Sequence, residues 1–463
     1  MDRSVFDHIV PGGLCIGCGI CAGFYPSDIR MIIDRHGWYI PEALNGDVGR
    51  WGKGSLAVCP FSDSTDNEDV IAGRLFGSEP SMAHRPETGY FLECSACHVS
   101  DDEARMSSSS GGLATWLTLK LLESGDVQGA VCVRPSDRGD RLFEFDIMTS
   151  PADIRRSSKS RYYPVEMSDV IGRLRRFEGK VVMIGLPCFI KAVRLACATD
   201  GELAGRVRYT IGLFCGHLKS MRYVDYLARS CGVDEKDVVT IDFRGKIEGR
   251  RASDYGIEIT CREGEKTSRR NIRAREVWGG SWTNNLFMLP ACECCDDVFS
   301  ETADIAIGDA WLPEYVSDWK GTNIAVCRSS EIARIMREGA RSGEIDMDGI
   351  PVEKVMRSQA GALRQRREGL QYRLYLARRR GVHRPVKRVE PKRDAGTFLD
   401  RMLQRQRMKI AAATHEAFLE QLQEKGLGLF RRRLRRRIFL SGCVNQLRHL
   451  PSAVRHKIGK LAG

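Results

Sequence analysis

Residues 181–198 read VVMIGLPCFIKAVRLACA. A short β-branched apolar run suited to a buried strand passes directly into a helical pattern, with Cys188 at the junction. Similar runs recur as GAVCV (129–133), VRYTIGLF (207–214), VVTIDF (238–243), ADIAIGD (303–309) and TNIAVCR (322–328). Helical stretches such as SMRYVDYLARSCG (220–232) follow several of them. Strands alternating with helices predict an α/β body with a largely parallel sheet between about 85 and 350. The C-terminal ends of parallel strands share one edge, where ligands bind. Cys188 and Cys215 each stand just past such an end, and ACECC adds the C-x2-C pair Cys292 and Cys295. These four suit a second metal cluster, with Cys294 able to replace a neighbour. Buried cysteines acting as small apolar residues are the alternative.

The N-terminal stretch CIGCGICAGFYP (15–26) starts as the bacterial ferredoxin motif C-x2-C-x2-C-x3-C-P but has Tyr25 where the fourth cysteine belongs. In two-cluster ferredoxins that fourth cysteine serves the other cluster. Its loss, together with the absence of a second triplet, removes the second cluster's ligands. The first cluster keeps Cys15, Cys18, Cys21 and the Cys-Pro at Cys59–Pro60. The four are read as one 4Fe-4S site, with zinc as the competing ion because it also accepts four thiolates. CSACH (94–98) matches covalent haem attachment, but that chemistry follows export. The N-terminus MDRSVFDHIVPGG carries no basic-then-apolar leader, so haem is rejected and a surface or strand-edge coincidence is expected.

No apolar run reaches membrane-spanning length; VVMIGLPCFIKAV is too short and carries a lysine. Seventeen cysteines in a chain expected to be cytoplasmic point to thiols and metal rather than disulfides. The net charge of +12 is uneven: residues 364–463 hold 27 Lys+Arg against 7 Asp+Glu, and the first 363 hold 45 against 53. An acidic body therefore carries a basic tail. FSDSTDNEDV (61–70) reads as a linker. Four regions are expected: a ferredoxin-like segment (1–62), two parts of one body (85–150 and 151–350), and a basic helical extension (355–463) broken near Pro385 and Pro391.

SSSSGG (107–112) precedes the helical run GGLATWLTLKLLESGD. Free backbone amides and the helix dipole there favour an anion such as a dinucleotide pyrophosphate, although a serine-capped helix after a loop has the same sequence. No G-x-G-x-x-G fingerprint opens the first strand–helix turn.

The cysteine triplet, SSSSGGLATWLTLKLLESGDVQGAV, SKSRYYPV, GLPCFIKAVR, GLFCGHLKS, IDFRGK, the C-x2-C pair and ADIAIGDAW together resemble the beta-subunit family of coenzyme F420 hydrogenases and dehydrogenases. The resemblance implies a flavoprotein holding FAD and one or two 4Fe-4S clusters, which passes electrons between them and an organic two-electron substrate. It implies FAD phosphates beside Ser109, Ser110, Gly111 and Gly112, and a cofactor site including Ser160, Tyr162, Arg244, Lys246, Asp309 and Trp311. Arg161 stands where the family usually has lysine, which keeps the charge but not a lysine-specific proton role. His217 is the implied proton donor. Cys188, Cys215, Cys292 and Cys295 match the family's body cysteines. A ferredoxin-like or other redox protein is the implied electron partner.

Stretches such as LFRRRLRRRIFL (429–440) in the tail suit an anionic membrane face at the inner side, or an acidic protein partner. A solvated helical face packed on the body is the commonest use of such a pattern. No nucleic-acid motif or stacking platform accompanies them, which ranks nucleic acid lower. Two other functions fit the same residues. One is an electron-transfer subunit with no substrate of its own. The other is a zinc-thiolate protein that binds nucleic acid through the tail.

Overall fold

A computed structural model describes residues 4–44, 51–424 and 426–449. The 181–198 stretch forms the strand Val181–Gly185 and the helix Pro187–Thr199. Pro187 stands in the first helical turn, where its fixed φ is already helical and no N–H is needed. The strand lies inside an eight-stranded sheet with the order Ile345–Gly349, Glu93–Val99, Asn323–Cys327, Ile305–Asp309, Val207–Leu213, Val181–Gly185, Gly129–Pro135, Phe143–Met148. The four strands from Ile305–Asp309 to Gly129–Pro135 are mutually parallel. The flanking strands pair antiparallel, so the sheet is mixed rather than largely parallel. From Asp309 the chain returns through a connection carrying only the four-residue helix Pro313–Val316, and the next strand runs back beside the last. Val181, Val182, Ile211, Ile305, Ala306 and Ile324 are all fully buried, the consecutive burial of strands covered on both faces.

Residues 238–243 leave this sheet. They belong to a separate antiparallel sheet of Val238–Gly245, Gly256–Glu263 and Lys266–Arg273. Ile241 and Phe243 point inward while Thr240 and Asp242 do not, and that alternation marks a one-sided sheet. CSACH lies in the interior strand Glu93–Val99, not at a surface or edge, because Cys94 and Cys97 are core residues. Three positions apart on a strand, they pack into different cores on its two faces, which no single haem could bridge.

The N-terminal segment is more regular than its punctuated sequence suggests. It holds the helix Ile20–Phe24, a hairpin of Ile29–Ile33 with Tyr39–Ala43, and the helix Gly52–Ala57. The expected linker is anchored: Asn67 caps the helix Glu68–Phe76, and buried Glu68 meets Lys191 at 3.3 Å.

The extension forms helices Ala360–Arg366, Glu368–Arg379, Phe398–Gln421 and Gly428–His449. Phe418, Phe430 and Leu434 complete a core with Tyr226 and Phe287 of the body. Between the helices an extended segment around Pro385 and Pro391 buries Arg388. Its guanidinium holds Glu301 with two bonds (2.5 and 2.9 Å), Asp69 at 2.8 Å and Asp296 at 3.3 Å. Acidic body and basic tail thus form one charge system at this seam. Arg431–Arg433 and Arg435–Arg437 remain exposed. Among the described residues, no helix is long and apolar enough to cross a membrane.

Candidate redox site

Cys15, Cys18 and Cys21 lie on the turn into helix Ile20–Phe24, and Cys59 follows helix Gly52–Ala57. Gly19, at φ 76°, permits the turn; a Cβ there would lie 2.9 Å from the Met167 amide nitrogen. The Gly17 amide donates to Cys15 Sγ at 3.4 Å. Tyr25 packs beside Trp51, with its hydroxyl in the space left open at Gly54. Burial, the larger cause, and the neighbouring Cys59 push Cys15 up to about 12. Cys21 is driven up by burial and then by Cys18, Cys15 and Cys59. These four thiols therefore form one mutually interacting set.

Cys188 opens helix Pro187–Thr199, Cys215 follows strand Val207–Leu213, and Cys292 and Cys295 flank the end of the 3-10 turn Pro290–Cys294. Burial raises Cys188 well above the usual thiol range, and Cys295, Cys215, Cys292 and also Cys18 raise it further. The second set is thus complete and borders the first. Arg366 of the extension is fully buried against the second set and donates to the Gly216 carbonyl, while its Nη1 has no partner. Burial pulls its guanidinium down, but Cys295, Cys215, Cys292 and Cys188 together hold it charged.

Buried thiols of this kind stay neutral unless a bound cation compensates the thiolate charge, and an all-sulfur donor set suits iron–sulfur clusters or zinc. Among the described residues, no three His, Cys, Asp or Glu side chains close on one point as they would around a single ion. Each set offers four soft donors, the number a 4Fe-4S cluster takes.

The Ser–Gly turn follows strand Glu93–Val99 at the same sheet edge. Gly111 is required by close packing, because a Cβ would meet the Cys97 carbonyl and Asn323 at 2.7–2.9 Å. Asn323 Oδ1 accepts from the Leu113 amide and so caps helix Leu113–Glu123. Ser109 Oγ accepts from the Ser160 amide at 2.8 Å. Lys246 Nζ donates to the carbonyls of Ser110 (2.8 Å) and Arg105. Burial pulls Lys246 down to about 7, and Lys159, Arg105 and Arg244 push the same way. This crowd of cations beside free amides suits a pyrophosphate. Arg244 is paired with Asp309 at 2.6 Å and lies over Tyr255 and Trp311.

An aromatic layer separates this turn from the second thiol set. Tyr162 meets Trp282 edge-on (4.8 Å) and Phe243 (5.4 Å), and Trp282 meets His217 at 4.5 Å. His217 is half-buried, and its Nε2, shielded from solvent, has no protein partner. Burial holds its imidazole well below the ordinary range, with Lys219, Arg366 and Arg407 adding to the effect. Arg161 stacks on Phe143 at 4.8 Å, and Phe143 in turn packs on Phe243. Burial lowers it to about 10, and its Nε has no partner.

The two thiol sets adjoin, His217 stands in the aromatic layer, and Ser109, Ser110, Ser160 and Lys246 gather at the turn, with Arg161 near Asp242. Sequence reasoning missed Lys159, Trp282, Asn323 and Arg366. Lys159, in the left-handed region at φ 117°, pairs with Asp242 at 3.0 Å. A larger open cavity, about 490 Å³ and lined by Asp126, Lys180, Arg206 and Arg208, lies at the opposite edge of the parallel strands and contains no thiol.

Family models for the coenzyme F420 hydrogenase/dehydrogenase beta subunit match residues 94–172 (its N-terminal part) and 178–353 (its C terminus). The coenzyme F420 hydrogenase subunit beta of Methanosarcina barkeri is 24% identical over 245 residues, covering 50% of this chain and 75% of that protein. An uncharacterized protein of Methanocaldococcus jannaschii is 23% identical over 242 residues, covering 52% and 82%. A chain from the xenon-derivatised F420-reducing NiFe hydrogenase complex of Methanosarcina barkeri has a similar fold (TM-score 0.50, 19% identity), covering 66% of this chain and 99% of that one. The first thiol set and the extension lie outside the two family matches.

Proposed function

Since this chain belongs to the coenzyme F420 hydrogenase/dehydrogenase beta-subunit family, a family of oxidoreductase subunits, we propose that it is an iron–sulfur flavoprotein oxidoreductase. It would pass electrons between two 4Fe-4S clusters, FAD and an organic two-electron substrate, either the deazaflavin or another acceptor. The observation that carries this reading is the pair of adjoining buried thiol sets, joined through Trp282 and Tyr162 to a cationic Ser–Gly turn.

Cys15, Cys18, Cys21 and Cys59 would hold one cluster, and Cys188, Cys215, Cys292 and Cys295 the other. Ser109, Ser110, Ser160, Lys246 and Lys159 would bind the FAD phosphates. Gly111 and Gly112 let the turn lie close to the sheet, and the Arg244–Asp309 pair fixes the floor beside Tyr162. When bound, the clusters exchange electrons singly and the flavin in pairs, which couples a one-electron donor to a two-electron substrate. His217 presents an unpartnered Nε2 in the aromatic layer, where it can hold or release a proton. The surrounding aromatic rings exclude water from that nitrogen. Arg161, stacked on Phe143, keeps a positive charge at the rim. A ferredoxin-like protein would be the electron partner in the cytoplasm, and the exposed 431–437 arginines suit an acidic protein or an anionic membrane face.

Anaerobic purification with iron, sulfide, zinc and flavin analysis tests the assignment. The reading predicts about eight irons and one FAD per chain. Zinc without iron or flavin would overturn it, and iron without flavin would reduce the chain to an electron-transfer subunit.

A further inference from the structure

The extension also encloses a cavity that the redox reading does not use. About 170 Å³ in volume, it lies among helices Ala360–Arg366, Phe398–Gln421 and Gly428–His449, with Thr283 of the body in its wall. Three arginines face it: Arg364, Arg407 and Arg448. Arg407 is 8% exposed. Its Nη1 donates to Gln365 Oε1 at 2.7 Å, but its buried Nε has no partner. Gln365, Gln404 and Asn445 are the amides in the wall. Gln365 Oε1 also takes Gln404 Nε2 at 2.8 Å, and Gln404 Oε1 takes Arg373 Nη1 at 2.7 Å.

The carboxylates here do not balance these donors. Asp400 is held by Arg448 at 2.5 Å and by the Thr397 amide and hydroxyl at its own helix start. Glu368, the other acid in the wall, is exposed. Arg364 makes no hydrogen bond or ion pair among the described residues. Burial, reinforced by Arg448, Arg373 and Arg364, lowers Arg407 to about 10, which records a local excess of positive charge. A buried guanidinium nitrogen left unpaired is destabilising, and a group with several acceptor oxygens relieves both faults at once. One water could satisfy Nε but would leave the charge.

We propose that this cavity binds the oxyanion head, carboxylate or phosphate, of a small molecule through Arg407 and Arg364. The volume holds a head group of a few atoms, since a water occupies about 30 Å³ of liquid. The rest of the ligand would then extend beyond it. Thr283 adjoins Trp282, so the head group binds next to the aromatic layer and not at the Ser–Gly turn.

The test is calorimetric titration of the purified holoprotein with inorganic phosphate and, separately, malonate at fixed ionic strength, with potassium chloride as control. Saturable binding of one anion per chain is expected, weakened about tenfold or more in both Arg364→Gln and Arg407→Gln, the loss of one charged contact. Tighter phosphate identifies a phosphate ester as the ligand class, and tighter malonate a carboxylic acid. Arg364 is exposed, so its variant keeps the test valid if Arg407→Gln fails to fold. No saturation beyond the chloride control would overturn the proposal, as would unchanged binding in Arg364→Gln.

Discussion

The two thiol sets are built by opposite routes. Three members of the first share seven residues of chain, and the fourth is brought in by one short helix. The second takes one thiol from a helix start, one from a strand end and two from a 3-10 turn, and is closed by Arg366 from outside the family-matched region. Their electrostatics differ accordingly. All four thiols of the second set act on Arg366, whereas Cys59 of the first has the weaker help of Lys191 and Lys387 after its backbone bond to Phe61. A local motif fixes its own geometry; a dispersed one depends on the fold, and here on the tail that covers it.

The largest expected effect separates the two sets outright. Cys59→Ser should remove about four of eight irons and leave the rest, and Cys292→Ser should remove the other half. Iron analysis of both variants checks this, and loss of all iron from Cys59→Ser would show that the sets do not load independently. Next comes the seam that holds the tail over them. Arg388→Met leaves buried Glu301 with Arg367 alone and buried Asp296 with Lys387 alone, and should cost about 3 kcal/mol, read by chemical denaturation.

Arg366→Met sharpens the electrostatic contrast. Removing a buried positive charge should lower the midpoint potential of one cluster by on the order of 50–100 mV and leave the other in place. A redox titration that moves both equally, or neither, would remove Arg366 from the second site. The smallest effect is a pH slope. Lys246 is pulled down to about 7 by burial and by Lys159, Arg105 and Arg244, with Asp318 opposing. Charging it favours a bound phosphate, so flavin affinity should fall as pH rises from about 7 toward the ordinary lysine value of about 10.4. Flavin release followed by fluorescence should show that slope in the native chain and lose it in Lys246→Met.

The contrast also explains how much could be read beforehand. The first set was legible because three of its four thiols are brought together by spacing along the chain. Cys188 and Cys215 were legible because consecutive apolar runs mark buried strands whose ends share an edge. Nothing in the sequence brings Arg366 or Trp282 to that edge, since both arrive through tertiary packing. Lys159 was hidden behind Arg161, two residues on: Lys159, at positive φ, pairs with Asp242, while Arg161 stacks on Phe143. The strand at 238–243 was misassigned because length and β-branching were weighed before its alternation. The tail's positive charge was visible, but its buried acidic partners Asp296, Glu301 and Glu68 are scattered over the body.

The central claim is two adjoining clusters, near enough that Cys18 of the first set adds to the forces raising Cys188 of the second. Low-temperature electron paramagnetic resonance of the anaerobically reduced holoprotein tests it directly. The account predicts two reduced-cluster signals broadened by mutual spin coupling, collapsing to one unbroadened signal in Cys59→Ser. A single signal unchanged by that substitution, or no iron–sulfur signal at all, would contradict it.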